Sequence, residues 1–218
     1  FREGNYTKAL QAFDTAIKIN PKYIHSWTNK GLTLNKLNRY NEALLAFDMA
    51  IELAPLSADA LSGKGEVENN LGKYDDALQT FQRALEINPE SSATWAKKGL
   101  SLYKLNKFPE SLAAYDKAIE LDPNNAYAFS GRSEAAKNIG SYQDALLAID
   151  NALKILPNST AIWTNKGLIL IELKNYVEAL NVFNKALELD PNNANALLGK
   201  SVALEKLGKY DDSLLALN

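Results

Sequence analysis

The sequence lacks most of the side chains that carry out catalysis or bind metals. It contains no cysteine, which excludes disulfides, thiolate chemistry and cysteine-ligated zinc. Its single histidine, His25, leaves no second imidazole for a metal site, and no glycine-rich phosphate loop is present. We therefore expect a protein that is not an enzyme and that holds neither a metal nor a cofactor.

Long apolar runs and an excess of charge are also missing. No stretch approaches the roughly eighteen consecutive apolar residues of a membrane-spanning helix. The formal net charge is −2, and nucleic-acid binding usually requires a clear basic excess, so we expect no nucleic-acid partner. The hydrophobic fraction of 46% is too high for a disordered chain. Lack of cysteine fits a reducing cytoplasm without requiring it, and we expect a cytoplasmic protein.

The prolines reveal an internal repeat. Six of the seven stand in one register, 34 residues apart, at Pro21, Pro55, Pro89, Pro123, Pro157 and Pro191. Proline inside a helix costs about 3 kcal/mol, so these positions predict a recurring turn between helices. Between the turns, apolar residues are spaced by three and four, which is typical of one face of an α-helix. Each unit is therefore predicted to be two antiparallel helices.

A glycine or an asparagine follows the first helix of most units. Such residues suit the left-handed conformation that ends many helices. They are Asn38, Gly72, Asn106, Gly140 and Gly208. Lys174 interrupts this pattern, and we expect its neighbour Asn175 to take the role.

The stretch from 27 to 55, WTNKGLTLNKLNRYNEALLAFDMAIELAP, resembles the tetratricopeptide repeat. The resemblance covers essentially the whole chain and implies an all-α, right-handed superhelical α-solenoid whose first helices line a concave groove. It divides the single array at 1–218 into a partial repeat at 1–23, full repeats at 24–57, 58–91, 92–125, 126–159 and 160–193, and a truncated repeat at 194–218. Because both ends fall within a unit, we expect a fragment of a longer protein.

Alternate units are more alike than neighbouring ones. The hexapeptide LDPNNA occurs at 121–126 and again at 189–194, two units later. Odd units read WTNKGL or WAKKGL, whereas even units read LSGKG, FSGRS or LLGKS at the corresponding positions. This pattern indicates duplication of a pair of hairpins.

The alternating residues fall, by the family resemblance, on the groove side of the first helices. Leucines of odd units and glycines of even units would form apolar steps separated by gaps for a peptide backbone or a helix. The same glycines would also relieve crowding between neighbouring first helices, and the leucines would then pack sideways. The candidate peptide-binding residues are Thr28, Asn29, Leu32, Asn35, Ser62, Gly63, Glu66, Lys97, Leu100, Tyr103, Ser130, Gly131, Glu134, Asn165, Leu168 and Ile171.

Each first helix also carries one basic residue directly before its small residue. The set is Lys30, Lys64, Lys98, Arg132, Lys166 and Lys200. Every second helix has an acid in its first turn, and we expect some of these acids to lie near the basic row. The charges largely cancel, so a structural ladder with buried aliphatic stems is favoured over a phosphate site.

Some tetratricopeptide domains of co-chaperones hold the terminal carboxylate of heat-shock proteins with lysine and asparagine side chains. The corresponding first-helix places here hold other residues: Thr28 with Leu32, Ser62 with Glu66, and Ala96 with Leu100. We therefore do not expect heat-shock tails as ligands.

These features predict a non-catalytic scaffold that binds a peptide or helix of an unidentified partner protein. Leu100 and Tyr103 are central and apolar, which makes them the best candidates for anchors. Two alternatives stay open. One is a substrate-recruiting region of a larger enzyme, and the other is a module that self-associates through its truncated ends.

Overall fold

The computed structural model describes the backbone of residues 2–216 and the side chains of residues 5–216. This described part contains thirteen α-helices and no strand, which confirms the all-α prediction. The helices are α1 (Arg2–Ile19), α2 (Ile24–Lys36), α3 (Tyr40–Leu53), α4 (Ala58–Asn70), α5 (Tyr74–Ile87), α6 (Ser92–Lys104), α7 (Phe108–Leu121), α8 (Ala126–Asn138), α9 (Tyr142–Ile155), α10 (Thr160–Glu172), α11 (Tyr176–Leu189), α12 (Ala194–Lys206) and α13 (Tyr210–Leu215).

The chain divides into two compact units, Phe1–Lys107 (unit 1) and Phe108–Asn218 (unit 2). Within unit 1, α2 packs on α3 and α4 packs on α5, and each second helix also packs on the next first helix. Unit 2 repeats this arrangement from α7 to α13. Tandem helical hairpins are therefore confirmed within each unit, while the single array at 1–218 remains a prediction.

Helix ends follow the sequence signals closely. Left-handed residues end the first helices at Asn38, Gly72, Asn106, Gly140 and Gly208, as predicted. The expectation for the fifth full repeat is wrong: Lys174 itself adopts φ +58°, and Asn175 instead caps α11 by accepting a hydrogen bond from the Glu178 amide. Asparagine is the better N-cap, so the lysine is left to absorb the unfavourable backbone conformation.

In the odd repeats, a tryptophan ties the first helix to the preceding turn. The indole nitrogen of Trp27 donates a hydrogen bond of 2.8 Å to the carbonyl oxygen of Pro21. The same bond forms in the other odd repeats, at Trp95–Pro89 and Trp163–Pro157. Each bond satisfies the indole N–H of a half-buried tryptophan and ties the first helix to the turn before it.

The even-repeat glycines are packing residues. Phe47 of α3 is fully buried between two first helices. A Cβ atom added at Gly31 would lie 2.9 Å from its ring, and one added at Gly63 would lie 2.4 Å from it. In unit 2, a Cβ at Gly131 would lie 2.2 Å from the Tyr115 ring. The interpretation of Gly63 and Gly131 as gaps for a ligand is therefore wrong, because a ring of the preceding second helix already fills each space.

The basic row joins successive repeats through ion pairs. The ammonium of Lys64 lies 2.7 Å from the Asp48 carboxylate of the preceding second helix. Equivalent pairs, each between residues 16 apart, are Lys30–Asp14, Arg132–Asp116 and Lys166–Asp150. The expectation that first-turn acids accompany this row is therefore incomplete, because the hydrogen-bonded partners come from the preceding repeat. Such exposed pairs contribute about 0–1 kcal/mol each and leave these cations already occupied.

Candidate functional site

In each unit, considered separately, a stripe of the first helices remains open to solvent. Its positions follow the helical spacing i, i+3 and i+7, which places them on one side of each helix. We call this surface the first-helix face. It is formed by Asn29, Leu32 and Lys36 on α2, Glu66 and Asn70 on α4, Lys97, Leu100 and Lys104 on α6, Glu134 and Asn138 on α8, and Asn165, Leu168 and Glu172 on α10.

In unit 1, the candidate residues separate into an exposed set and a buried set. Leu32 is 38% exposed. Asn29 is also exposed, and five further candidates are half-buried, namely Ser62, Glu66, Lys97, Leu100 and Tyr103. In contrast, Thr28 and Asn35 are buried, as is Gly63. The prediction that these three line an open surface is wrong, since each is covered by its neighbours.

In unit 2, Leu168 is the most open candidate, at 36% exposure. Ser130, Glu134, Asn165 and Ile171 are half-buried. A shallow pocket of about 350 Å³ lies beside Leu168 and is lined by Lys137, Asn138, Tyr142, Leu168 and Glu172. Contact of any of these residues with a ligand stays a prediction.

A chain of polar side chains braces the face of unit 1. Glu66 accepts a hydrogen bond of 3.2 Å from the Asn35 amide on α2 and a charged contact of 2.6 Å from Lys97 on α6. Lys36 lies 3.7 Å from the same carboxylate. Asn70 donates to the Asn35 side-chain oxygen at 2.8 Å, which explains why Asn35 is buried. Three consecutive first helices are thereby cross-linked through one carboxylate.

Burial raises the pKa of Glu66, but the charges of Lys97 and Lys36 and the hydrogen bonds from Lys97 and Asn35 outweigh it. The net result is a pKa below the ordinary value of a glutamate. Glu66 is therefore ionised at neutral pH and holds the Lys97 ammonium in place.

A second polar link lies beneath the first. The Ser101 hydroxyl donates a hydrogen bond of 2.7 Å to the side-chain oxygen of Asn69. The Asn69 amide in turn donates to the carbonyl oxygen of Lys97 at 3.3 Å. Sequence reasoning missed Asn69 and Asn70, and the available signal was two adjacent asparagines at the end of a first helix. These bonds fix the backbone of α6 against α4.

The face of unit 2 has a simpler brace. The Asn165 amide donates a hydrogen bond of 2.9 Å to the Glu134 carboxylate. This pair occupies the same places, one doublet later, as Lys97 and Glu66 in unit 1. A neutral amide thus replaces an ammonium, so the charge of Glu134 is not cancelled by this partner.

Neither a metal-binding cluster nor a membrane-spanning helix is found among the described residues. Residues 5–216 bring together no group of three or more histidine, cysteine, aspartate or glutamate side chains suited to a metal ion. None of the described helices combines the length and the apolar character needed to cross a membrane.

Family models match most of the sequence. Tetratricopeptide repeat models match residues 1–23, 28–92, 160–193 and 182–214, and a further TPR repeat model matches 99–140. The chain belongs to the tetratricopeptide repeat family. No curated protein matches the sequence.

Solved structures show the same fold. YrrB, a TPR protein with an unusual peptide-binding site, is 26% identical over 86% of this chain and 97% of its own, with a TM-score of 0.65. PilW, a type IV pilus biogenesis factor, is 20% identical over 88% of this chain and 90% of its own, with a TM-score of 0.83. PilF of Pseudomonas aeruginosa is 17% identical over 88% of each chain, with a TM-score of 0.79. The last two likenesses concern the fold alone.

Proposed function

We propose that this protein is a non-catalytic scaffold that binds a peptide or a helix of a partner protein on its first-helix face. The observation that carries the proposal is the placement of leucines at one repeated position of that face. Leu32 and Leu168 remain partly exposed there, although a typical core leucine would be covered. The peptide-binding site of YrrB, a relative with 26% identity, supports the same function.

The braced polar network supports binding rather than simple solvation. Asn35, Glu66 and Lys97 hold one another in fixed positions, so the neighbouring leucines are presented without a large loss of side-chain entropy on binding. A preorganised face of this kind suits recognition of an extended or helical segment. We place the protein in the cytoplasm, a location that the absence of cysteine fits without requiring it.

Replacing Leu100 with glutamate should abolish partner capture. A buried charge in the contact would remove an anchor that contributes about 2 kcal/mol, or about thirtyfold in Kd. The partner would first be identified by pull-down with the intact chain and mass spectrometry. Its affinity for each variant would then be measured by isothermal titration calorimetry, and folding would be checked by circular dichroism.

Leu32→Glu is the second test variant, because its exposed side chain makes unfolding less of a concern than at half-buried Leu100. The matched control is Leu45→Glu on α3, where the leucine is 67% exposed on a second helix. The control should bind as the parent protein does. Folded Leu32→Glu and Leu100→Glu variants with unchanged affinity would disprove the location of the site.

A further inference from the structure

The first-helix face of unit 1 repeats one two-residue device. Leu32 is followed four residues later by Lys36 at the end of α2, and Leu100 is followed four residues later by Lys104 at the end of α6. Residues four apart lie one above the other on a helix, so each leucine is paired with a cation one turn further on. Lys36 and Lys104 are both exposed. The face thus alternates an apolar side chain with a positive charge.

The carboxylate of Glu66 on this face is already neutralised by lysines of the same face. Glu66 contacts Lys97 at 2.6 Å and Lys36 more loosely at 3.7 Å. Two lysines therefore share one carboxylate, and Lys104 on α6 adds a third cation to this part of the face. The other two acids of α4 are Glu68, which is buried at 6% exposure, and Asp59, seven residues before Glu66, or about 10 Å along the helix. The first-helix face of unit 1, from Leu32 to Lys104, therefore carries a net positive charge, although the whole protein has a net charge of −2.

Unit 2 shows the opposite sign at the corresponding places. Leu168 is followed four residues later by Glu172 where unit 1 has lysine. Glu134 is paired with the neutral Asn165 amide, so its charge persists. Lys137 lines the same pocket as Glu172, and Glu134 is a second carboxylate on that part of the face. The positive character of unit 1 is therefore a local property and does not follow from the repeat itself.

We infer that the face of unit 1 selects an acidic segment of a partner protein, in which aspartate or glutamate side chains flank apolar ones. This inference rests on the proposed function and names the chemistry of its ligand. The apolar side chains would lie on Leu32 and Leu100, and the carboxylates would meet Lys36 and Lys104. Nucleic acid fits less well, because leucines would face phosphates and because Lys30 and Lys64 are already paired with aspartates.

The test uses the full chain and short fluorescein-labelled peptides that each carry two leucines. One peptide sets the leucines among glutamates, a second among glutamines and a third among lysines. Fluorescence anisotropy should show the acidic peptide binding about tenfold more tightly than the glutamine peptide, with an affinity that falls as salt is added. The lysine peptide should bind most weakly.

The variant Lys36→Glu/Lys104→Glu should remove the preference for the acidic peptide. The control is Lys18→Glu/Arg83→Glu, which makes the same change of charge on α1 and α5 of unit 1, away from the face. The control should keep the preference, because distant exposed charges are screened. A labelled single-stranded oligonucleotide tests the alternative of general anion binding.

The inference and the proposed function can fail separately. If all three peptides bind equally and Leu100→Glu abolishes binding, the face is a peptide site without charge selection, and the inference is overturned while the function stands. If the oligonucleotide binds as tightly as the acidic peptide, the inference is also overturned. Lack of binding by any peptide would reject the inference, whereas the function would still be decided by the variants of Leu32 and Leu100 with a captured partner.

Discussion

Gly63→Val is expected to destabilise the protein by about 3 kcal/mol, although Gly63 lies in a helix where most residues are better formers than glycine. The reason is the ring of Phe47. A Cβ atom at residue 63 would lie 2.4 Å from that ring, which has little room to move because it is fully buried and also packs closely against Gly31. Valine would add two further methyl groups to this space. The first helix α4 must therefore move away from α3.

Urea denaturation followed by circular dichroism would measure the loss, and hydrogen exchange would locate it. In a repeat protein stability is mostly a sum over neighbouring units, so faster exchange should concentrate in α3 and α4. The matched control is Asn29→Val, at the equivalent position of α2, where the side chain is exposed. Its effect should stay within about 0.5 kcal/mol.

A second substitution tests the cause. Phe47→Leu alone should destabilise the core, but combined with Gly63→Val it should cost less than the sum of the two, because the smaller side chain leaves room for valine. Strict additivity of the two changes would show that the ring is not what excludes a side chain from residue 63. Equal effects of Gly63→Val and Asn29→Val would contradict the packing argument altogether.

The regular features of the fold could be predicted because each depends on residues close in the chain. Proline register, apolar spacing and the left-handed caps are local, and the structure follows them almost everywhere. Gly63 shows the limit of such reasoning. Its sequence context left two interpretations open, and only the position of Phe47 from the preceding second helix decides between them. That choice depends on how hairpins stack, which the single helix does not encode.

The sequence predicted which helix positions form the first-helix face, but it did not predict which of their side chains are exposed. Asn35 was expected to line it, yet Asn70 and Glu66 cover its amide. Their arrangement depends on side-chain conformations across two repeats. The ion pairs of the basic row were easier to predict from the sequence. Asp14 and Asp48 each stand 16 residues before a basic residue, so a search for opposite charges at a fixed spacing would have found them.

Glu68 is the clearest departure from the repeat pattern, and sequence reasoning overlooked it. Other first helices place an apolar residue at this position: Leu34, Leu102, Ala136, Leu170 and Leu204. Glu68 is 6% exposed, and its Oε2 atom accepts no hydrogen bond from the described residues. Opposite it, Thr80 replaces the alanine or valine of the other second helices. A polar pair has therefore replaced an apolar pair in one hairpin.

Burial raises the pKa of Glu68 above its ordinary value of 4.5. A hydrogen bond with Thr80 and the charge of Lys64 oppose this effect, and the charges of Asp76 and Asp48 add to it. Because the folded pKa exceeds the unfolded one, the neutral carboxyl is the form that folding favours. Its contribution to stability is complete below pH 4.5 and is lost as pH rises through the folded pKa.

Glu68→Leu combined with Thr80→Ala should therefore stabilise the protein at pH 7, by about 2 kcal/mol, since it removes a buried and incompletely bonded carboxylate and restores the apolar pair. The isosteric variant Glu68→Gln should also stabilise it at pH 7, and its advantage should shrink as the pH is lowered toward 4.5. Thermal unfolding at a series of pH values would measure both effects. Destabilisation by Glu68→Gln that does not change with pH would show that the carboxylate is well accommodated.

Glu66, two residues earlier on the same helix, provides a control of opposite sign. Its pKa is lowered because Lys97, Lys36 and Asn35 outweigh the effect of burial, so its ionised form stabilises the fold. That contribution is present above the unfolded pKa and is lost as pH falls through the folded value. Glu66→Gln should thus destabilise the protein at pH 7 and have little effect on stability in acid. Glu68→Gln should instead stabilise the protein at pH 7. The two glutamates of α4 would then affect the pH dependence of stability in opposite directions, because Glu66 contacts a lysine whereas Glu68 is buried in the core.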